Sequence, residues 1–272
     1  MLNHIKNELN KRNIELVSCL RLDECNIKRK YLLERHGIAS GSVIIFAVPY
    51  FSEKSLENRN ISAYAVSRDY HFYFATLFEE IITDLRSKYP ENRFAGFTDH
   101  SPIDEIDAAA RTGLGVVGKN HLLITEKYSS FVFLGEIITD AELPSSAGEI
   151  QTCINCGKCI SACPVGTNVE NCLSALTQKK GELTPDEQQI IKNSGVAWGC
   201  DICQSICPYT KIAIQNKTIF TNIDFFKNNL TPNLTCELVD SMTDEEFSKR
   251  AYYWRGKYVI LRNLKILEGK EK

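Results

Sequence analysis

The sequence predicts an α+β protein in three consecutive segments: an α/β domain over residues 1–148, a small cysteine-organised domain over 149–215 and a helical, basic tail over 216–272. Three observations predict it. Helix-like and strand-like stretches alternate through the first half, eight of the eleven cysteines fall between Cys153 and Cys207, and eight Lys or Arg face two Glu from Phe247 onward.

In the first segment, Ile14 to Leu20 and Ser42 to Val48 are short β-rich runs. Asp69 to Tyr89 carries Phe74, Leu77, Phe78, Ile81, Ile82 and Leu85 at helical spacing, which is one amphipathic helix between strands. Arg93 to Phe97, His121 to Thr125 and Phe131 to Ile138 add strands, and Pro144 to Gly148 reads as a linker. Beyond it the chain turns to short loops and brief helices, as expected where metal organises the backbone. Thr184-Pro185-Asp186-Glu187 is a capping box with proline at the first helical position, and Thr243-Asp244-Glu245-Glu246 is a second box.

Hydrophobic content of 43% and charged content of 24% are ordinary for a globular protein, and no apolar run reaches the roughly 20 residues that span a bilayer. The polar N-terminus shows no secretory signal, so a cytoplasmic location is expected. Clustered cysteines in a reducing compartment favour metal over disulfides. Cys19, Cys25 and Cys236 lie outside the cluster and read as small buried hydrophobes.

Cys153, Cys156, Cys159 and Cys163-Pro164 have the C-x2-C-x2-C-x3-C-P spacing of bacterial ferredoxins, in which the fourth cysteine ligates the other cluster. Cys200, Cys203 and Cys207-Pro208 form a second half, and Cys172 makes the count eight. Two [4Fe-4S] clusters follow, one on Cys153, Cys156, Cys159 and Cys207, the other on Cys163, Cys172, Cys200 and Cys203. Structural zinc explains three cysteines at two-residue gaps followed by Cys-Pro poorly.

Separated blocks then carry a resemblance. Tyr64 to His71, Asp99-His100-Ser101-Pro102, Gly113 to Asn120, Phe133-Leu134-Gly135-Glu136 with Thr139-Asp140, and Gly199 to Gln204 occur in the order of the epoxyqueuosine reductase family. The chain resembles those cobalamin-dependent iron-sulfur enzymes of the last step of queuosine synthesis in tRNA. The resemblance implies an oxidoreductase with cobalamin held base-off in the α/β domain, contacts near Arg35, Tyr64, Arg68, Leu123 and Leu134, and Asp99 as proton donor. Burial beside an apolar corrin face would keep that carboxyl protonated. It also implies tRNA with epoxyqueuosine in the anticodon loop as substrate, a small electron donor such as ferredoxin or flavodoxin, and a monomer. Full-length members carry a C-terminal helical repeat domain, whereas this chain reads as a short form and its Cys163–Cys172 segment is compact.

Gly113 to Asn120 is close to a P-loop, but Asn120 stands where Ser or Thr should hold magnesium and a β-rich run follows. Three glycines there suit a tight backbone approach to a flat cofactor. In the tail, Tyr252, Tyr253, Trp254 and Tyr258 interleave with Lys249, Arg250, Arg255, Lys257 and Arg262. They suit either a solvated amphipathic helix with leucines inward or stacking on unpaired bases. Two other functions stay open: an electron-transfer or corrinoid-reducing protein without its own substrate pocket, and a cobalamin-dependent reductase of a small molecule.

Overall fold

A computed structural model describes residues 1–166 and 172–270. The stretch 167–171 within the compact Cys163–Cys172 segment, and 271–272 at the end of the expected tail, lie outside the described residues. The chain divides into two compact units, one of residues 1–49 and 71–155, the other of 50–70 and 156–272. This partition differs from three consecutive segments: residues 50–70 leave the first half and pack with the second.

The first unit is built on a four-stranded sheet in the order β1 (Leu16–Arg21), β2 (Ser42–Pro49), β6 (Val132–Thr139), β3 (Phe94–Phe97). The helix-strand alternation in sequence suggests parallel crossovers, yet every neighbouring pair is antiparallel. A hairpin of β4 (Val116–Val117) and β5 (Leu123–Ile124) is separate from this sheet. Helix α1 (Leu2–Asn10), unmarked in the sequence reading, buries Ile5 and Leu9. Helix α2 (Lys30–Arg35) buries Leu32 and Leu33.

Strand alternation sorts the two faces of the sheet. Helix α3 (Tyr70–Lys88) lies over one face, where Phe74 stacks on Phe46 with ring centroids 6.4 Å apart. A Cβ on Gly135 would stand 2.5 Å from Phe74 and 2.7 Å from Phe46, so glycine is what lets these rings reach β6. Helix α4 (Glu105–Arg111) turns Ala108, Ala109 and Ala110 into the core on the other face, with Val43, Ile45, Ala95 and Ile138. Leu134, Glu136 and Ile138 share that second face at two-residue spacing.

In the second unit the helices are short: α5 (Lys158–Ala162), α6 (Leu173–Thr177), α7 (Pro185–Ser194), α8 (Ile202–Ser205), α9 (Pro208–Gln215), α10 (Cys236–Ser241), α11 (Asp244–Ser248) and α12 (Lys257–Glu268). Both expected capping boxes form. Thr184 N–H donates to Glu187 Oε2 at 2.8 Å, Glu187 N–H returns to Thr184 Oγ1 at 3.3 Å, and Thr243 and Glu246 repeat the exchange. One core gathers Ile61, Val66, Trp198, Tyr252, Val259, Ile260 and Leu264. A smaller one has only Leu173, Leu183 and Ile191 as its buried members. Residues 60–62 join this unit by backbone pairing, with Ala197 N–H to Asn60 O at 2.6 Å and Ser62 N–H to Trp198 O at 2.8 Å. Among the described residues, no helix is long and apolar enough to cross a membrane.

Candidate functional site

Asp99 lies on the turn between β3 and α4 with a left-handed backbone, φ 59°. The turn is tied to β6 by Thr98, whose Oγ1 donates to Leu134 O at 2.8 Å. The Asp99 N–H donates to Glu105 Oε1 at 3.2 Å. Its carboxyl stands 3.6 Å from His71 Nε2, and its side chain is 57% exposed. A chain reversal at the edge of the sheet leaves the Asp99 side chain exposed in the protein alone, and the burial expected for it is burial against a corrin face. His100 turns away to Tyr31, Nε2 to OH at 2.8 Å.

The buried acids are elsewhere on the same turn. Glu136 is 0% exposed, and its carboxyl lies against the Ser101 and Glu105 side chains. Burial, reinforced by the charge of neighbouring Glu105, pushes it well above the usual carboxylate range. Glu105, the first residue of α4, is pushed up to about 7 by burial and then by the charge of Asp99. The sequence reading passed over both. A lone Glu inside the apolar run Phe131 to Ile138 is the signal that marks Glu136, because alternation on a two-sided core strand leaves it nowhere to go but inward.

The residues expected to touch a corrinoid are placed as follows. Arg35 ends α2 and is exposed. Leu134 is part-buried on β6 beside the Asp99 turn, while Leu123 is 4% exposed and packs into the α4-side core. In the second unit, the Tyr64 hydroxyl accepts from Trp198 Nε1 at 2.8 Å. The Arg68 guanidinium lies 4.5 Å from the centroid of the Phe225 ring, and its buried Nε has no partner among the described residues. An orphaned guanidinium N–H fits a polar group of a bound cofactor. Two of the three glycines of 113–120, for which an approach to a flat cofactor was expected, also serve the chain's own packing. A Cβ on Gly115 would stand 2.6 Å from Ile124 O, and one on Gly118 would meet Asn120 and Ile124, so they close the β4–β5 hairpin on itself.

All eleven cysteines are free thiols. Cys153 belongs to the first unit, where its N–H donates to Val117 O at 3.0 Å; the other seven expected ligands belong to the second. Cys159 is on α5, Cys203 on α8, and Cys172 and Cys207 cap α6 and α9. Burial pushes Cys207 up, with Cys156 and Cys159 as its like-charged neighbours. Burial also pushes Cys200 up to about 12, with Cys203 and Cys172 among its neighbours. Among the described residues, no three His, Cys, Asp or Glu side chains converge on a single ion. Cys19 and Cys236 are buried and Cys25 is part-buried.

The basic tail divides residue by residue. Tyr252 and Leu264 are fully buried, and Arg262 Nη1 donates to Lys179 O at 2.9 Å. Tyr253, Trp254 and Tyr258 are exposed, with the Arg255 guanidinium 3.8 Å from the centroid of the Trp254 ring.

Comparison with known proteins adds identity to this geometry. Residues 152–210 match a 4Fe-4S double cluster binding domain, and residues 38–100 match the family described as Epoxyqueuosine reductase QueG, DUF1730. An epoxyqueuosine reductase of Synechocystis sp. is 31% identical over 235 residues, 83% of this chain and 78% of that protein. One of Lactococcus garvieae is 31% identical over 72% of this chain and 57% of that protein; with the Listeria monocytogenes relative, the match spans 55%. The chain thus spans little more than half the length of these two relatives. The fold is that of epoxyqueuosine reductase from Streptococcus thermophilus, at TM-score 0.78 and 23% identity over 98% of this chain and 80% of that one. It is also that of an epoxyqueuosine reductase crystallised with an epoxyqueuosine-modified tRNA stem loop, at TM-score 0.76 and 23% identity over 99% and 82%. An antiparallel sheet unit, a double-cluster binding domain and a relative 31% identical over 78% of its own length mean that the chain belongs to the epoxyqueuosine reductase family.

Proposed function

We propose that this chain reduces epoxyqueuosine to queuosine in tRNA. The observation that carries the reading is the sorting of thiols, Cys207 with Cys156 and Cys159 against Cys200 with Cys203 and Cys172. That is the crossed arrangement of two four-iron clusters, an electron-delivery device. Cys153 and Cys163 complete the two sets, and residues 149–215 are the cluster-carrying segment. Relatives named for the substrate, one crystallised with a modified tRNA stem loop, support the choice of reaction.

Removing the epoxide oxygen as water takes two electrons and two protons and leaves the alkene. Clusters and base-off cobalamin, when bound, supply the electrons, drawn from a small donor such as ferredoxin or flavodoxin. In the second unit, Arg68, with its Nε unpartnered among the described residues, and Tyr64 would offer polar contacts to a corrinoid; in the first, Leu134 and Leu123 would offer apolar contact and Arg35 a charged one at the surface. Asp99 delivers a proton to the departing oxygen, its exposure giving the substrate access. Trp254, Tyr253 and Tyr258 stack on unpaired bases of the anticodon loop. The protein works as a cytoplasmic monomer, in a reducing compartment where clustered cysteines bind metal rather than pair as disulfides.

Anaerobic reconstitution with iron, sulfide and cobalamin, followed by mass analysis of nucleosides from epoxyqueuosine-containing tRNA, tests the reading. Conversion to queuosine is expected. Cluster reduction without conversion would overturn it in favour of electron transfer alone.

A further inference from the structure

We propose that Glu105 and Glu136 are a proton-holding carboxyl pair that seats the Asp99 turn, making Glu105 a positioning residue for the proton donor. The inference rests on the reading of Asp99 as that donor.

A non-glycine residue in the left-handed region costs about 1 kcal/mol or more and persists only where its surroundings hold it. At Asp99 the hold is the N–H to Glu105 Oε1 bond, 3.2 Å, together with the Thr98 anchor on β6. Glu105 can reach back because it opens α4, whose N-cap Asp104 accepts from Asp107 N–H at 3.1 Å. Behind it, Glu136 faces the α4 side of the sheet at 0% exposure, its carboxyl against that of Glu105 and the Ser101 hydroxyl.

Among the described residues no cation faces the pair, and the Ser101 hydroxyl is the one neutral donor against Glu136. The ionisable groups facing it are Asp99, Asp104 and Cys25. Asp104 is engaged by Lys28 at 3.4 Å, and His71 stands 3.6 Å from the Asp99 carboxyl. Cys25, pushed up to about 12 by burial, stays a thiol. Arg29 gives its Nη1 to the Ser101 carbonyl at 3.0 Å instead. With no cation against it, the cheapest neutraliser of a buried carboxyl is a proton, and two adjacent carboxyls give theirs up in separate steps. The first loss, near pH 7, falls to Glu105; Glu136 keeps its proton. An ionised Glu105 is the stronger acceptor for the Asp99 N–H, so the turn tightens as pH rises through about 7.

Infrared spectra of the reconstituted holoprotein between pH 5 and 9 test this without turnover. Wild type should show a protonated-carboxyl band that persists at pH 8 and is lost in Glu136→Gln, and a second that titrates near neutrality and is lost in Glu105→Gln. In turnover, Glu105→Ala should lower kcat roughly ten- to a hundredfold with KM little changed. Glu105→Gln, which keeps an acceptor oxygen, should recover part of that and lose the rising limb near pH 7. Wild-type spectra without either band would overturn the pair, as would a Glu105→Gln pH profile superimposed on wild type while Asp99→Asn is inactive. If Asp99→Asn turns over normally, the donor assignment fails and the infrared bands alone decide the pair.

Discussion

At the scale of single residues, acidity and burial are distributed against simple expectation. Asp99, the proposed proton donor, is exposed, and the two carboxyls whose acidity burial weakens, Glu105 and Glu136, lie behind it. Asp99→Asn keeps shape and cannot donate an acidic proton, so clusters should assemble while conversion falls about a hundred- to ten-thousandfold. Nucleoside mass analysis reads this directly, and near wild-type conversion would move the role to His71, 3.6 Å away. A stability effect follows from Glu105. Its value in the fold, about 7, is above the ordinary 4.5, so the folded chain keeps a proton that the unfolded chain has already released. Its contribution to stability therefore falls as pH rises from about 4.5 to about 7. Glu105→Gln should remove that penalty, a gain on the order of 3 kcal/mol at pH 8 and little at pH 4. Denaturant midpoints at the two pH values measure it, and an equal shift at both would show that the charge is not the cause. None of this was legible in the sequence, because pattern alone says which way Glu136 points but not that α4 brings a second acid to meet it.

At the scale of elements, what the sequence foretold is what short-range chemistry dictates. The 3.6-residue period from Phe74 to Leu85 became α3, the β-rich runs became β1, β2, β3 and β6, and both Thr-x-x-Glu boxes closed as caps. Strand pairing was not foretold, since direction is set by where the chain returns rather than by side-chain period. Nor was the attachment of residues 50–70 to the second unit, to which one acid far along the chain contributes beside the backbone pairing at 60–62. Asp201, 6% exposed, accepts from Arg59 Nη2 at 2.7 Å, from Ala63 N–H at 2.6 Å and from the Ser62 hydroxyl. It sits between Cys200 and Cys203, so the same hub that holds the segment holds two expected ligands of one cluster. Asp201→Ala strands the Arg59 charge, a loss of about 3 kcal/mol or more. It should also halve the iron content by losing the cluster on Cys163, Cys172, Cys200 and Cys203. Full iron with unchanged stability would show that the hub is dispensable.

At the scale of the whole molecule, the two units draw stability from different sources, and metal removal should separate them. The first unit has a sheet with helices on both faces, and β2 is buried along its whole length. Such a core needs no ligand. In the second unit, α5 buries no residue at all and α8 buries only Gln204, while α12 buries Val259, Ile260, Asn263 and Leu264 against Trp198 and Tyr252. Cluster bonds replace the missing hydrophobic burial around α5 and α8, where ligation free energy is folding free energy. Chelating iron from the reconstituted protein should therefore raise amide hydrogen exchange across residues 153–163 and 200–207. Protection in β2, β6 and α12 should persist, since the open state of each region costs what its own contacts are worth. The iron released should be close to eight atoms per chain, the content of two cubanes. A single global loss of protection, reaching β2 and β6 together with the cysteine loops, would mean that the sheet unit depends on the clusters, contrary to the cores described above.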